Sequence, residues 1–155
     1  MILLDNYSQL REGPGMADGD DFNAKVIAEF RANDGKVGGF FTGAPLLLLH
    51  HRGAKTGAER VNPLVYLQVG DSYAVFGSAG GQPRDPQWFR NLLAHPDVSI
   101  EVGPAAAAPV RARVAGPGER PAIWATQKER MPNFAEYEKN AAPREIPVIL
   151  LDPVA

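Results

Sequence analysis

The chain has 155 residues, 45% of them hydrophobic, a formal charge of -2 and no cysteine. That is enough for one domain with a packed core, and it rules out a disulfide framework, a thiolate metal site and a cysteine nucleophile. A pI near 5.9 with both signs interspersed argues against a nucleic-acid binder, which would carry a basic face. The apolar runs, such as Pro45 to Leu49, are far below the roughly 20 residues that span a bilayer. MILLDNYSQL is too short and too soon acidic for a signal peptide. The expectation is a cytoplasmic protein, free or peripheral to the membrane, with no integral membrane segment.

Residues 1–15, which end in REGPG before Met16, show no period that would bury a face. They are expected to be an N-terminal tail or expression remnant, leaving 16–155 as a single domain. From an N-cap at Asp20 or Asp21, the residues Phe22, Val26, Ile27 and Phe30 recur at helical spacing until Asn33-Asp34-Gly35 ends the run. After a Gly-rich connector over Gly35 to Gly43, the period shifts to that of strands at Leu46–His51, Val61–Val69, Tyr73–Gly77 and Val98–Val102. Pro63 lacks a ladder donor, so it is expected at a bulge or strand edge. Gly70-Asp71 supplies the turn between the second and third strands. Val98, Ile100 and Val102 alternate with Ser99 and Glu101, and Val110, Ala112 and Val114 with Arg111 and Arg113, as two strands paired through opposite outer charges.

Asp85-Pro86 gives a cap and first-turn signal for a helix whose core stripe is Phe89, Leu92 and Leu93, ended by Pro96. Trp88 and Asn91, three apart, share another part of its surface and can reach one ligand. Glu119–Met131 and Pro132–Asn140 make one broken helix or two short ones, and Ile146–Leu151 a last apolar strand. Strands that mostly follow one another without crossover helices favour an antiparallel barrel over a doubly wound parallel sheet. The fold class is therefore β-rich α+β, with about six strands and flanking helices.

Several chemistries are not supported. In GAKTG the residue before the lysine is Ala54 rather than glycine, and a strand follows, so this is not a phosphate loop of a nucleotide triphosphatase. No GxSxG elbow and no GxGxxG fingerprint is present. Neighbouring His50 and His51 on a strand point to opposite faces, and no carboxylate stands at helical metal spacing from a histidine, so no metal is expected. What stands out is a local cationic excess: Arg52, Lys55 and Arg60 with a single acid, Glu59, between His50 and Arg60. In a chain that is acidic overall, this points to an anionic partner held at one place.

The ordered set RGAKTG, RVNPL, GSAGG and PRDPQW with NL, together with the tail pattern FAEYEKNAAPREIPVILL, resembles the deazaflavin-dependent nitroreductase family. These are small reductases that use the reduced 8-hydroxy-5-deazaflavin coenzyme F420. The match runs from about Gly38 to Leu151. The resemblance implies a split β-barrel like that of flavin reductases, the FMN-binding split barrel, in agreement with the strand pattern. It implies that Lys55 and Arg60 hold the anionic phosphodiester and polyglutamate tail, with Thr56 and Gly57 in a turn whose backbone N–H groups add donors. Asn62, Pro63 and Leu64 match the segment along the deazaflavin ring, and Ser78, Ala79, Gly80 and Gly81 the loop that approaches ring and phosphate with little bulk. Trp88 and Asn91 match the helix that closes the site. Where some relatives carry a lysine this chain has Ala79, and Arg84 is the substitute cation.

The resemblance further implies hydride transfer to a small hydrophobic acceptor. Tyr137 is the first candidate proton donor or substrate anchor and Ser78 the second, with Met131 and Phe134 at the other rungs of a thinned aromatic ladder. Fewer hydroxyls favour activated double bonds and quinones over nitroaromatics. Each residue also has an ordinary role: Lys55 and Arg60 as solvated hairpin charges, Trp88 and Tyr137 as packing, Asn91 as a helix-surface or capping residue, the Ser78 loop as a turn. An FMN-dependent oxidoreductase and a non-catalytic deazaflavin- or haem-binding module are the rival functions. A monomer or weak homodimer is expected.

Overall fold

The computed structural model describes residues 16–154, so the expected tail over 1–15 lies outside the described residues. Helix α1 spans Met16–Ala32, followed by β1 (Leu46–Arg52), β2 (Glu59–Val69), β3 (Ser72–Phe76), α2 (Gln87–Ala94), β4 (Asp97–Val102), β5 (Ala108–Val114), α3 (Arg120–Arg130), α4 (Asn133–Ala141) and β6 (Val148–Pro153). Short 3-10 turns lie at Gly39–Phe41 and Ala79–Gly81. The strands form a closed antiparallel barrel in the order β1-β2-β3-β6-β5-β4, with β4 returning to β1.

Closure divides the apolar residues into two cores. All six strands contribute to the interior set, which includes Leu47, Leu49, Leu64, Val75, Ile100, Val110 and Ile149, and α2 adds Trp88, Phe89 and Leu92. The opposite face of β1, β2, β3 and β6, with Leu46, Leu48, Val65, Leu67, Phe76 and Leu150, is covered by α1, α3 and α4. Full burial of one such side chain contributes about 1.5–3 kcal/mol. At the centre of the outer core Phe134 packs edge-on to Phe76 (5.7 Å) and Trp124 (6.1 Å), and is 1% exposed. Trp124 Nε1 donates to Glu138 Oε2 (2.5 Å) and Lys128 Nζ to Glu138 Oε1 (3.0 Å), which ties α3 to α4.

The strand pattern survives, with corrections at its ends. Helix α1 begins at Met16 rather than at a cap on Asp20 or Asp21, because acids are as favourable in a first turn as at a cap. Asp85 does not cap α2: its carboxylate accepts from Arg144 Nη1 at 2.7 Å, and the helix starts after Pro86 without a side-chain cap. Leu93 is not in the core stripe but 59% exposed, and Val114 is 48% exposed. The latter follows from β5 leaving β4 at Arg111 and pairing beyond it with β6 only. The expected pairing of Glu101 with the β5 arginines does not form: Arg111 pairs with Asp97 (2.7 Å), Arg113 with Glu119 and Asp152, and Glu101 with Arg31 and His50. The last strand starts at Val148, after Pro147 rather than at Ile146, and Glu119–Asn140 is two helices parted at Met131-Pro132.

Pro63 makes no bulge, since the β1–β2 register runs unbroken from Leu46↔Val65 to Arg52↔Glu59. Tyr66 N–H donates to Pro45 O (3.0 Å), and this fixes the alternation: Leu64 and Asn62 turn their backbone groups to β1, while Pro63 turns its nitrogen and carbonyl away. On that side β3 pairs only with Tyr66–Val69, so the missing donor falls on a local edge.

Arg113 on β5 joins three elements, donating through Nη1 to Glu119 Oε1 (2.7 Å) before α3 and through Nε to Asp152 Oδ2 (2.6 Å) on β6. The Arg113 guanidinium, with the Gly116 N–H, lowers the Glu119 carboxyl from 4.5 to about 2. A depressed carboxylate contributes its full stabilisation above its unfolded pKa and loses it as pH falls through the folded one. Urea midpoints measured across the window from pH 4.5 to about 2 are therefore expected to fall less steeply in Glu119→Gln than in the wild type. Parallel slopes would assign the acid sensitivity to other carboxylates.

Candidate cofactor site

The cationic segment forms a tight turn between β1 and β2. Gly57 N–H donates to Gly53 O and Gly53 N–H to Ala58 O, both at 2.9 Å, and Gly57 takes φ +70. Ala58 N–H donates to Thr56 Oγ1 (3.1 Å). A β-carbon on Gly53 would lie 2.6 Å from Thr56 Oγ1 and 3.7 Å from Arg60 Nε, so Arg60 folds back over the turn. Lys55, Thr56 and Arg60 are exposed. Among the described residues neither Lys55 nor Arg60 has an ion-pair partner; Glu59 lies 3.8 Å from His50 Nδ1 instead.

A buried polar chain anchors this turn to the barrel and to α2. Ala54 N–H donates to Asn91 Oδ1 (2.9 Å), which also receives Gln87 Nε2 (3.0 Å). Asn91 Nδ2 lies 3.1 Å from His51 Nδ1, and His51 Nε2 lies 2.8 Å from Asn62 Oδ1. His51 and Asn91 are 3% and 0% exposed. Burial pushes the His51 imidazole down from its ordinary value; the bond to Asn62 works against that shift, and Arg60 and His50 reinforce it. His50 and His51 do take opposite faces: His51 shares the inward parity of Leu47 and Leu49, whereas His50 faces Glu101 (2.5 Å) on the outside.

The Gly-rich loop is held from another direction. Extending the β2–β3 register from Tyr66↔Val75 would set Ser78 opposite Pro63, but the ladder stops and the chain turns through three consecutive residues of positive φ, Ala79 (46), Gly80 (64) and Gly81 (87). A β-carbon on Gly81 would lie 3.0 Å from Tyr137 O and from Asn140 Cβ, so α4 packs directly on the loop. The absence of side chains here is thus required by the protein's own packing. Arg144, between α4 and β6, fills its donors on this loop: Nε to Gln82 O (3.0 Å), Nη1 to Gly77 O (3.0 Å) and Asp85 Oδ1 (2.7 Å), Nη2 to Ser78 O (2.9 Å) and Gln82 O (2.7 Å).

The fold therefore brings together Lys55, Thr56, Gly57, Arg60, Asn62 and Asn91 around the turn, and Ser78 to Gly81 with Tyr137 at the loop. Asn91 is internal scaffolding, with its amide oxygen taken by Ala54 and Gln87 and its amide nitrogen by His51. Trp88 is 3% exposed, and its Nε1 is a buried donor without a hydrogen-bond partner. Arg84 is exposed beside the loop. Ser78 and Tyr137 are buried, at 0% and 5% exposed, and the Tyr137 hydroxyl accepts from Asn133 Nδ2 (3.2 Å). His51, Gln87 and Arg144 carry the site's geometry and were not singled out from the sequence. The one signal for His51 is its parity, a polar residue at an inward position of an all-leucine strand. Arg144 stands in a short Pro-flanked connector with no period to read.

A separate open cleft of about 1370 Å³ lies between the end of α1, the 33–45 connector and α3, with Val37, Leu46, Tyr66, Leu67, Gln127 and Met131 on its walls. It does not include the cationic turn. It reaches Met131, the rung next to α4. No helix among the described residues is long and apolar enough to cross a membrane.

Comparison with known proteins agrees with this architecture. A family model described as F420H(2)-dependent quinone reductase matches residues 24–153. An F420H(2)-dependent quinone reductase of Mycobacterium tuberculosis is 38% identical over 130 residues, 80% of this chain and 85% of that protein. A solved F420-H2 dependent reductase is 35% identical, with a TM-score of 0.63, over 70% of this chain and 94% of its own. A second solved chain, described as a domain-swapped dimer, is 32% identical with a TM-score of 0.65, over 88% of this chain and 98% of its own. The haem storage protein HutZ of Vibrio cholerae, 18% identical with a TM-score of 0.54 over 86% of this chain and 91% of its own, shares the split-barrel fold. The chain belongs to the F420H(2)-dependent quinone reductase family, and it is an oxidoreductase whose cofactor is coenzyme F420.

Proposed function

We propose that residues 16–155 act as one deazaflavin-binding domain that reduces an electron-poor, apolar acceptor: an activated C=C as in enones and unsaturated lactones, a quinone, and more weakly a nitroaromatic. The observation that carries this reading is the pair of cations, Lys55 on the turn and Arg60 at the start of β2, without carboxylate partners among the described residues, on a segment that buried hydrogen bonds hold in place. Such a pair fits a phosphodiester and polyglutamate tail, Arg as a fork and Lys as a point charge. The unpartnered Trp88 Nε1 supplies a buried donor of the kind a polar cofactor satisfies. The quinone named for the relatives is the acceptor class that this reading places first.

When bound, the reduced deazaflavin supplies the hydride. The chain's residues then have binding and orienting roles. Lys55, Thr56, Gly57 and Arg60 hold the anionic tail, with Arg84 as a further cation. Asn62, Pro63 and Leu64 run along the ring, and the Ser78, Ala79, Gly80 and Gly81 loop lies at its side. The Tyr137 hydroxyl, or secondarily that of Ser78, holds a proton for the acceptor. The protein works in the cytoplasm as a monomer or weak homodimer.

Titration of the purified chain with oxidised F420 and, in parallel, with FMN tests the cofactor half. Tight F420 and weak FMN binding is expected, and the reverse order would replace the chemistry while keeping the fold. In Arg60→Ala the Kd for F420 is expected to rise about tenfold at low salt and less at high salt, because an exposed charge-assisted contact is screened. An unchanged low-salt Kd would remove the tail-binding role. Tyr137→Phe is expected to lower kcat with an enone acceptor by about a hundredfold, the usual scale of one general acid, without altering the Kd for F420. Full turnover in that variant would leave Tyr137 a packing residue.

A further inference from the structure

The buried chain between β2 and α2 has a direction, and one backbone group sets it. Ala54 N–H can only donate, so the Asn91 atom 2.9 Å away is its carbonyl oxygen, and Gln87 Nε2 donates to that same atom at 3.0 Å. The other end of the Asn91 amide is then an NH2 donor, and His51 Nδ1, 3.1 Å from it, must accept. An accepting Nδ1 carries no proton, so the neutral ring carries its proton on Nε2 and donates to Asn62 Oδ1 at 2.8 Å. The Asn62 amide nitrogen is thereby turned away from His51. Two amide orientations and one tautomer all follow from the Ala54 N–H.

We infer that His51 is a positioning residue of the cofactor site, a neutral Nε2–H imidazole that sets the Asn62 amide at one end and, through Asn91, the turn bearing Lys55 at the other. This role rests on the proposed assignment of Lys55 and Asn62 to the cofactor. A second proton on the ring would set Nδ1–H against the Asn91 NH2, both donors, inside a site that is 3% exposed at His51. The charged groups around the ring do not offer a carboxylate to rescue it: Arg60 and His50 disfavour the cation. Arg52, Glu59 and Asp97 line a small pocket together with His50 and His51, and there Glu59 is directed to His50. From α2 come only the uncharged Asn91 and Gln87. The relay therefore works with a fixed proton and serves to keep the turn and the ring segment in one geometry.

The test combines a spectroscopic signature with a coupling measurement on the full chain. Imidazole 15N resonances at neutral pH are expected to give His51 one protonated nitrogen, Nε2, and one unprotonated nitrogen, Nδ1. The opposite tautomer or a charged ring overturns the relay. In His51→Phe the Kd for oxidised F420 is expected to rise about tenfold, and the same change made in Lys55→Ala is expected to cost clearly less, since the two act through one turn. Additive effects, or an unchanged Kd in a folded His51→Phe, overturn the positioning role. Should His51→Phe not fold, Asn91→Asp replaces the donating NH2 by an acceptor, and His51 is then expected to take its second proton at a higher pH than in the wild type. An unmoved titration has the same adverse meaning. Failure of the wild type to bind F420 sinks the functional reading and this role together, whereas wild-type binding with an insensitive His51 sinks this role alone.

Discussion

Everything at the site depends on strand β1 being buried on both faces and hydrogen-bonded on both edges. Leu46 and Leu48 face the helix-covered outer core, Leu47 and Leu49 the barrel interior, and all four are at most 3% exposed. With β2 on one side and β4 on the other, the strand cannot slip by one residue without turning every leucine to the wrong core. That constraint delivers His51 inward and His50 outward, and it aims the turn after Arg52. The register that packs the leucines is the register that places the polar relay.

The loop from Gly77 to Asp85 depends on a different solution. Its backbone carbonyls at Gly77, Ser78 and Gln82 have no strand partner beyond the end of β3, and in a buried segment such groups must be satisfied. Arg144 meets that need from outside the loop, and also neutralises Asp85, with a side chain only 13% exposed. One residue from the connector before β6 thus couples the loop, the start of α2 and the last strand. The planar fork of arginine matches several carbonyls and a carboxylate at once, which a lysine would not do.

The architecture was legible in the sequence because it is written in local periods. Alternation in Val98–Val102, the apolar block at Leu46–Leu49 and the helical spacing of Phe22, Val26 and Phe30 each report on a chain segment shorter than a dozen residues. The family motifs marked the turn and the Gly-rich loop for a similar reason, being contiguous. What failed was whatever a distant residue decides. Asp85 followed by Pro86 is a sound capping signal until Arg144 takes the carboxylate. Leu93 fits the α2 stripe by spacing, yet the barrel mouth is filled by Trp88, Phe89 and Leu92. Val114 alternates correctly on a strand that has already left its partner. The roles of His51 and Arg144 escape a local reading for the same reason, since each is defined by partners 11 to 67 positions away.

The two kinds of polar residue around the turn have opposite tasks, and their environments separate them. His51 and Asn91 are engaged with each other and buried, so a ligand could gain little from them; Asn62 receives His51 through its amide oxygen and keeps its amide nitrogen for a ligand. Lys55 and Arg60 are exposed, and neither has a carboxylate partner among the described residues. Lys55 on the six-residue turn and Arg60 at the start of β2 stand close along the chain, and holding two like charges there has a cost that falls with salt. The hydrogen bond from Ala54 to Asn91 offsets that cost from inside the protein, where it is not screened. Cation density for an anionic tail and rigidity for a ring that must be aimed are thus supplied by different side chains on either side of one backbone segment. It follows that a change at the cations costs tail affinity without disturbing the turn, while the buried amides and imidazole behind them cannot be changed one at a time without leaving a donor or acceptor unmet.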